Sequence, residues 1–154
     1  MVKLLEGNLL DSGADYIAHQ VNCQGKMNSG VAKQIRNKWP EVYEHYLYFY
    51  GLFSGKGAPL GMCDMVPVST GQVVVNMFAQ DRYGYDGKQY TDIDALRDCL
   101  EALAEEQKEN PSLRIAIPYK IGCVRGGANW DEVLAMIKNV FAGGEVELWR
   151  LDNG

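Results

Sequence analysis

The sequence predicts an α/β fold with three layers, in which helices pack on both faces of a mostly parallel or mixed sheet. Short segments rich in β-branched and aromatic residues alternate with segments of helical periodicity along the 154 residues. Val73-Val74-Val75 is apolar without alternation, as in a strand covered on both faces. A chain of this length is typical of one domain, so we expect a single domain over residues 1–154.

The first half of the chain is predicted to form four strands and two helices. The strands, which are short and rich in β-formers, cover residues 2–5, 16–21, 63–68 and 73–78. A helix over residues 30–38 ends before Pro40, because the residue preceding proline avoids the helical region. Pro40 can open the next helix, which continues over residues 41–53. Its aromatic residues recur every three or four positions and are predicted to pack in the core: Tyr43, Tyr46, Tyr50 and Phe53.

The second half begins with a loop and adds two helices and two strands. Residues 81–90 are rich in glycine and tyrosine and predict a surface loop. Thr91, with Asp94 three residues later, predicts the start of a helix that ends by Asn110-Pro111. A buried strand over 114–118, a helix over 131–141 and an alternating strand over 145–151 complete the prediction.

Composition limits the classes of function. The net charge of −5 lacks the basic surface that duplex DNA or an anionic membrane requires. Four scattered cysteines and two histidines show no metal-ligand spacing, so we expect reduced thiols, no metal and no organic cofactor. The N-terminus resembles no signal peptide, which predicts a cytoplasmic protein. We expect a monomer or a weak oligomer.

Two glycine-containing loops follow predicted strands and precede helices. The first loop, residues 19–31, offers backbone N–H groups at a helix N-terminus, which suit phosphate oxygens. In the second loop, residues 121–127, glycines allow a ligand to approach the backbone. Neither loop has a Walker A or dinucleotide-binding sequence. Because ligands of α/β sheets bind outside the carboxyl ends of strands, the two loops together predict a diphosphate site.

These motifs resemble those of the macro domain family along nearly the whole chain. The resemblance rests on Gly7-Asn8-Leu9-Leu10, on residues 15–22 and Ser29-Gly30-Val31-Ala32, on Asn76-Met77-Phe78, and on Ile117-Pro118 with Ile121-Gly122-Cys123 and Trp130. It is strongest to the branch containing ADP-ribose 1''-phosphate phosphatases and hydrolases that remove ADP-ribose from glutamate. The resemblance implies a mixed sheet of six or seven strands and a site for ADP-ribose.

By position, the resemblance also implies roles for individual residues. Asn8 and Leu9 correspond to the adenine site, where many members have an aspartate in place of Asn8. Asn22 corresponds to an asparagine at the distal ribose, and His19 lies near the same ribose. The two phosphate loops correspond to Ser29, Gly30 and Val31, and to Gly122, Cys123, Val124, Arg125 and Gly126. Leu151 and Asp152 are placed near the adenine, and residues 84–90 over the distal ribose or in a surface loop.

Purely structural interpretations compete with several of these ligand-binding roles. Asn8 fits a turn residue, Asn22 a strand-end cap, His19 a packed side chain, and Cys123 a small packing residue. Arg125 suits a bidentate phosphate contact or a solvated loop charge.

The resemblance is weakest at the catalytic positions. The related glutamate hydrolases use a lysine and an aspartate, which correspond here to Gln80 and Gly126. Neither residue is a nucleophile or a general base, which argues against that mechanism. Three hypotheses remain: a hydrolase of an ADP-ribose derivative in which His19 and Asn22 position a water, a non-catalytic ADP-ribose-binding module, and a domain for another nucleotide.

Overall fold

Six strands and four helices form the part of the chain that the computed structural model describes, residues 1–53, 55–84, 86 and 88–151. The strands are β1 Val2–Glu6, β2 Tyr16–Asn22, β3 Cys63–Pro67, β4 Val73–Gln80, β5 Ile115–Pro118 and β6 Val146–Arg150. The helices are α1 Gly30–Lys38, α2 Pro40–Gly51, α3 Ile93–Glu109 and α4 Trp130–Val140. The predicted strands and helices all occur, with bounds within about two residues, so the α/β prediction is confirmed.

The six strands form one mixed sheet in the order β1-β6-β5-β2-β4-β3. All neighbours are parallel except β3 and β4, which are antiparallel. In the centre of the sheet, β2 pairs with β4 on one side and with β5 on the other. The carboxyl ends of β2, β4 and β5 therefore lie at one edge, where both glycine-containing loops begin.

Two apolar clusters cover the two faces of the sheet. Alternate residues of β4 belong to different clusters: Val75 and Met77 pack with α3 and α4, whereas Val74 and Phe78 pack with α1 and α2. Val74 and Val75 are fully buried, which confirms that this strand is covered on both faces. Tyr46 of α2 is fully buried against Phe78, as the aromatic periodicity predicted.

The structure differs locally from the prediction at the start of α3 and after β1. Asp92, not Thr91, caps α3, because the Asp92 side chain accepts a hydrogen bond from the backbone N–H of Ala95. Thr91 instead forms an isolated bridge with Gln80, the last residue of β4. A short 3-10 turn, Leu9–Asp11, follows β1 and was absent from the predicted elements.

The last strand was predicted to alternate between buried and exposed residues, but it does not. Val146, Glu147 and Leu148 are consecutive buried residues, because the Glu147 carboxylate forms a bidentate ion pair with Arg114, at 2.8 and 2.9 Å. Within the described ranges, no helix is long and apolar enough to cross a membrane.

Candidate ligand-binding site

A cavity of about 380 Å³ lies at the carboxyl ends of β2, β4 and β5. Both loops contribute to its wall, so the structure brings together most of the predicted site residues: His19, Asn22, Ser29, Gly30, Val31, Gly122, Val124, Arg125 and Gly126. Lys26, Lys120 and Arg125 are its cationic lining residues, and no Asp or Glu lines it among the residues described. In a chain of net charge −5, this wall is locally suited to an anion.

The first loop places the N-terminus of α1 at the cavity. Ser29 is the N-cap residue, but its side chain makes no capping hydrogen bond, and no acidic residue occupies the first turn. Gly30, Val31 and Ala32 of that turn line the cavity. The first N–H groups of a helix lack partners within the helix and carry partial positive charge. This end of α1 is therefore a suitable binding position for a phosphate oxygen.

The first loop is held from behind by α2. The Tyr46 hydroxyl lies 2.7 Å from the carbonyl oxygen of Asn22 and 3.2 Å from the backbone nitrogen of Lys26. The Asn22 amide also bonds within the loop: Nδ2 donates to the Lys26 carbonyl at 3.0 Å and Oδ1 accepts from the Gln24 N–H at 3.0 Å. Asn22 lines the cavity, and its side chain fixes the shape of the loop.

The second loop is held by a close approach of backbone segments. The Thr91 hydroxyl donates to the Gly122 carbonyl at 2.7 Å, and the N–H groups of Tyr90 and Thr91 donate to the Gly126 carbonyl. Gly122 has a φ of +76°, in the region that favours glycine. Lys120, immediately before the loop, is a non-glycine residue with positive φ, at 59°. Strained backbone of this kind often accompanies a binding site.

At the two positions that the resemblance aligns with the lysine and the aspartate of the glutamate hydrolases, Gln80 belongs to a hydrogen-bonded cluster and Gly126 lies against it. Gln20 Nε2 donates to Gln80 Oε1 at 2.7 Å and to the Thr91 hydroxyl at 2.8 Å. A Cβ atom at Gly126 would lie 2.0 Å from Thr91 Oγ1 and 2.5 Å from the Gly122 carbonyl oxygen. The site therefore has no room for any side chain at position 126, including an aspartate.

His19 is a buried, neutral group at the cavity wall. The residue is 1% exposed, and its Nε2 lies 2.6 Å from Asn76 Oδ1. Burial lowers the pKa of His19 to about 4, and the hydrogen bond to Asn76 opposes this shift only in part. Its other ring nitrogen, Nδ1, is buried and has no hydrogen-bond partner among the residues described.

Some predicted site residues lie outside the cavity wall. Asn8 caps the 3-10 turn, with Oδ1 accepting from the Leu10 N–H at 2.9 Å, and Leu9 is buried in the α1/α2 core. Cys123 packs against the α3/α4 core, and burial raises the pKa of its thiol to about 11. Leu151 is exposed. The predictions for Asp152, Tyr85 and Gly87 lie outside the described residues, while Tyr83 and Gly84 line the cavity.

Other residues of the site were given no binding role from the sequence, although Gln20 and Lys26 lie within the predicted first loop. Gln20 and Thr91 form the cluster beside Gly126, and Lys26 and Lys120 add positive charge to the wall. Lys26 follows Gly25 in the first loop, and Lys120 lies two residues after the predicted strand end at Pro118 and two before Gly122, which is a usable signal. Gln20 and Thr91 are 71 positions apart, and no periodicity relates them.

Comparisons of the sequence and of the fold with known proteins agree with this architecture. A family model described as Macro domain matches residues 18–137. The chain belongs to the macro domain family, as the sequence motifs predicted.

Relatives within the family are similar at low sequence identity. The DNA ADP-ribosyl glycohydrolase of Thermus aquaticus is 24% identical over 150 residues, covering 97% of this chain and 40% of the relative. The macrodomain of Thermus aquaticus DarG superposes with a TM-score of 0.78 at 23% identity, covering 97% of this chain and 98% of that one. Thermosipho africanus DarTG, solved in complex with ADP-ribose, gives a TM-score of 0.76 at 19% identity, covering 97% and 41%. The chain thus spans about two fifths of the length of the sequence relative.

Proposed function

We propose that this chain binds ADP-ribose, with the diphosphate held between the first and second loops. The observation that carries the proposal is the composition of the cavity wall. It combines the uncapped N-terminus of α1 with three cations, Lys26, Lys120 and Arg125, and it includes no carboxylate among the described residues. Such a wall stabilises the two negative charges of a diphosphate.

The size and the rim of the cavity support the same ligand class. Its volume, about 380 Å³, falls in the range of small-molecule sites. Val124 at the rim is 77% exposed and Tyr83 is 42% exposed, so apolar surface is available beside the charged wall. A nucleotide presents both kinds of surface, since it joins charged phosphates to a flat apolar base. The ADP-ribose complex of the Thermosipho africanus protein supports this proposal by analogy.

Binding of ADP-ribose is tested by calorimetry on the purified chain, with ADP and NAD as comparison ligands. We expect a dissociation constant around micromolar, about 8 kcal/mol of binding free energy, and clearly weaker binding of ADP. Gly30→Glu is the loss-of-binding variant, because it adds a carboxylate at the N-terminus of α1. Gly71→Glu is the matched control, since Gly71 also has a positive φ, +86° against +59° at Gly30, and a side chain at either position would meet open space. Equal affinities of Gly30→Glu and the parent would contradict the proposed position of the diphosphate.

A second candidate function is hydrolysis at the distal ribose, of ADP-ribose 1''-phosphate or of an ADP-ribosyl linkage. The unpaired ring nitrogen of His19 at the cavity wall favours it, because a lone pair there can orient a water. The names of the Thermus and Mycobacterium relatives, DNA ADP-ribosyl glycohydrolases, point to the ADP-ribosyl linkage. Gln80 and the closed space at Gly126 argue against a lysine–aspartate mechanism.

The two candidates are separated by a turnover assay. The chain is incubated with ADP-ribose 1''-phosphate and, separately, with ADP-ribosylated single-stranded DNA, and release of phosphate or ADP-ribose is followed. Turnover of either substrate above the level of Gly30→Glu would establish a hydrolase. Binding without turnover of either would leave ADP-ribose binding as the function.

A further inference from the structure

A row of buried polar side chains crosses the three neighbouring strands β2, β4 and β3. His19 of β2 pairs in register with Asn76 of β4, and Asn76 pairs with Asp64 of β3. The three residues are 1%, 0% and 2% exposed, respectively. His45 of α2 ends the row at the surface, with 46% of its side chain exposed. The row therefore runs from the cavity wall to solvent.

The four side chains are linked by successive hydrogen bonds. His19 Nε2 lies 2.6 Å from Asn76 Oδ1, and Asn76 Nδ2 lies 3.2 Å from Asp64 Oδ2. The other carboxylate oxygen, Asp64 Oδ1, lies 2.8 Å from His45 Nδ1. All interior members of the row are thus partnered on both sides.

The donor and acceptor order of this row is fixed by the carboxylate. Since an ionised carboxylate only accepts hydrogen bonds, Asn76 must turn its amide nitrogen towards Asp64. The Asn76 carbonyl oxygen then faces His19, so His19 Nε2 must carry the hydrogen and donate it. In a neutral imidazole the other nitrogen is an acceptor. His19 Nδ1 is therefore a lone pair.

That lone pair lacks a partner within the described part of the protein. Buried polar groups in native proteins almost always have a hydrogen-bond partner. His19 lines the cavity, so we expect the donor to Nδ1 to come from a group that binds there. A hydroxyl of the distal ribose, or a water that it displaces, has the required O–H.

We propose that Asp64 and Asn76 are positioning residues that hold His19 in the Nε2-protonated form, so that Nδ1 accepts a hydrogen bond from an O–H group in the cavity. This inference rests on the proposed binding of ADP-ribose for the identity of the O–H group. The hydrogen-bond order itself depends only on the protein.

The order can be tested from the surface with two double variants, of which one reverses it and the other retains it. Both contain Asp64→Asn, which keeps the shape of the side chain but lets it bond in either orientation. In D64N/H45K the lysine donates, so the new amide turns its oxygen outward and its N–H groups towards Asn76. Asn76 must then turn its own nitrogen towards His19, which moves the hydrogen of His19 to Nδ1. In D64N/H45E the glutamate accepts, and the original order is retained.

The tautomer is measured by ¹⁵N NMR of the histidine ring nitrogens, and the affinity by calorimetry with ADP-ribose and ADP. We expect an Nε2–H tautomer in the parent and in D64N/H45E, and an Nδ1–H tautomer in D64N/H45K. The affinity of D64N/H45K for ADP-ribose should fall at least tenfold relative to D64N/H45E, because two donors then face each other. The affinity for ADP, which has no distal ribose, should be equal in the two. The ADP-ribose affinity of each double variant is divided by that of the single variant H45K or H45E. This ratio cancels the effect of the new charge at position 45.

The outcomes distinguish this inference from the proposed function. An Nδ1–H tautomer in the parent, or the same tautomer in both double variants, would overturn the hydrogen-bond order. Opposite tautomers with equal affinities for ADP-ribose would overturn the role of Nδ1. If neither double variant folds, the test uses the parent protein alone. Its His19 Nδ1 resonance should shift when ADP-ribose saturates the site, and an unchanged resonance would overturn the role of Nδ1 as an acceptor. Absence of ADP-ribose binding by the parent would refute the proposed function, while the tautomer would still decide the order.

Discussion

The two loops at the cavity are supported in different ways. The first loop is held by side-chain hydrogen bonds, chiefly from the Tyr46 hydroxyl behind it and from the Asn22 amide within it. The second loop is held by backbone carbonyls that approach Thr91, in space that excludes any side chain at Gly126. Support by single hydrogen bonds can be weakened one bond at a time. Support by close packing is lost abruptly, because a Cβ atom cannot share occupied space.

The largest effect is expected from Gly126→Ala in the second loop. The added Cβ would lie 2.0 Å from Thr91 Oγ1 and 2.5 Å from the Gly122 carbonyl oxygen, so both segments must move. We expect a loss of about 3 kcal/mol in the free energy of unfolding and no measurable ADP-ribose binding. Urea denaturation and calorimetry measure the two effects. Gly143→Ala is the control, and a wild-type stability of Gly126→Ala would refute support by close packing.

Acid should lower the free energy of unfolding through His19, on the strand that leads into the first loop. The folded-state pKa of His19 is lowered to about 4 from 6.5, so between these values the unfolded chain binds a proton that the folded protein does not. The stabilisation is complete above pH 6.5 and is lost as the pH falls towards 4. The loss amounts to about 3 kcal/mol for a shift of this size.

The pH effect is measured as the free energy of unfolding of the parent and of His19→Gln across this window. The parent should lose more stability than His19→Gln as the pH falls, because the variant has no imidazole to protonate. Parallel pH profiles of the two proteins would show that His19 titrates normally in the folded state.

Tyr46→Phe should have an intermediate effect on the first loop. It removes the hydroxyl that bonds the Asn22 carbonyl and accepts from the Lys26 N–H, at a cost of about 1–2 kcal/mol in unfolding free energy. The affinity for ADP-ribose should fall by several-fold while some binding remains, in contrast to Gly126→Ala. Tyr48→Phe, at a side chain that is 66% exposed, is the matched control. A complete loss of binding in Tyr46→Phe would remove the distinction between the loops.

The smallest effect concerns Lys120, next to the second loop. Lys120→Gly and Lys120→Gln both remove a charge from the cavity wall and should lower ADP-ribose affinity similarly. Only Lys120→Gly relieves the positive φ of 59°, so it should be more stable than Lys120→Gln by about 1 kcal/mol. Thermal denaturation gives this difference, and equal stabilities would show that the backbone is unstrained there.

Much of the fold was predictable from the sequence, because helix and strand periodicities are local. Residues 30–38 were assigned to a helix with the bounds that the structure shows, since Pro40 fixes the end of that segment. The start of α3 was predicted at Thr91 instead of Asp92, because either residue type can cap a helix and only tertiary contacts decide between them. Thr91 is held by Gln20 and Gly122, which are distant in sequence.

The candidate site was predictable where it depends on loops and not where it depends on side-chain pairs. Ser29, Gly30 and Gly122 were located at the cavity because parallel strands place successive loops at one edge of the sheet. Asn8 was predicted at the adenine, with a turn residue as the alternative, and in the structure its side chain caps the turn Leu9–Asp11. The same side-chain oxygen serves either role, and the local sequence does not distinguish them.

The sequence by itself determined the alternation of strands and helices, the two glycine-containing loops and the absence of a lysine and an aspartate at positions 80 and 126. The tertiary structure decided that Gly126 is closed to side chains and that His19 is a neutral acceptor at the cavity wall. Both properties arise from contacts between distant residues, such as His19 and Asn76, which are 57 positions apart. Strand register brings such residues together, and the direction of each hydrogen bond then follows from the whole row.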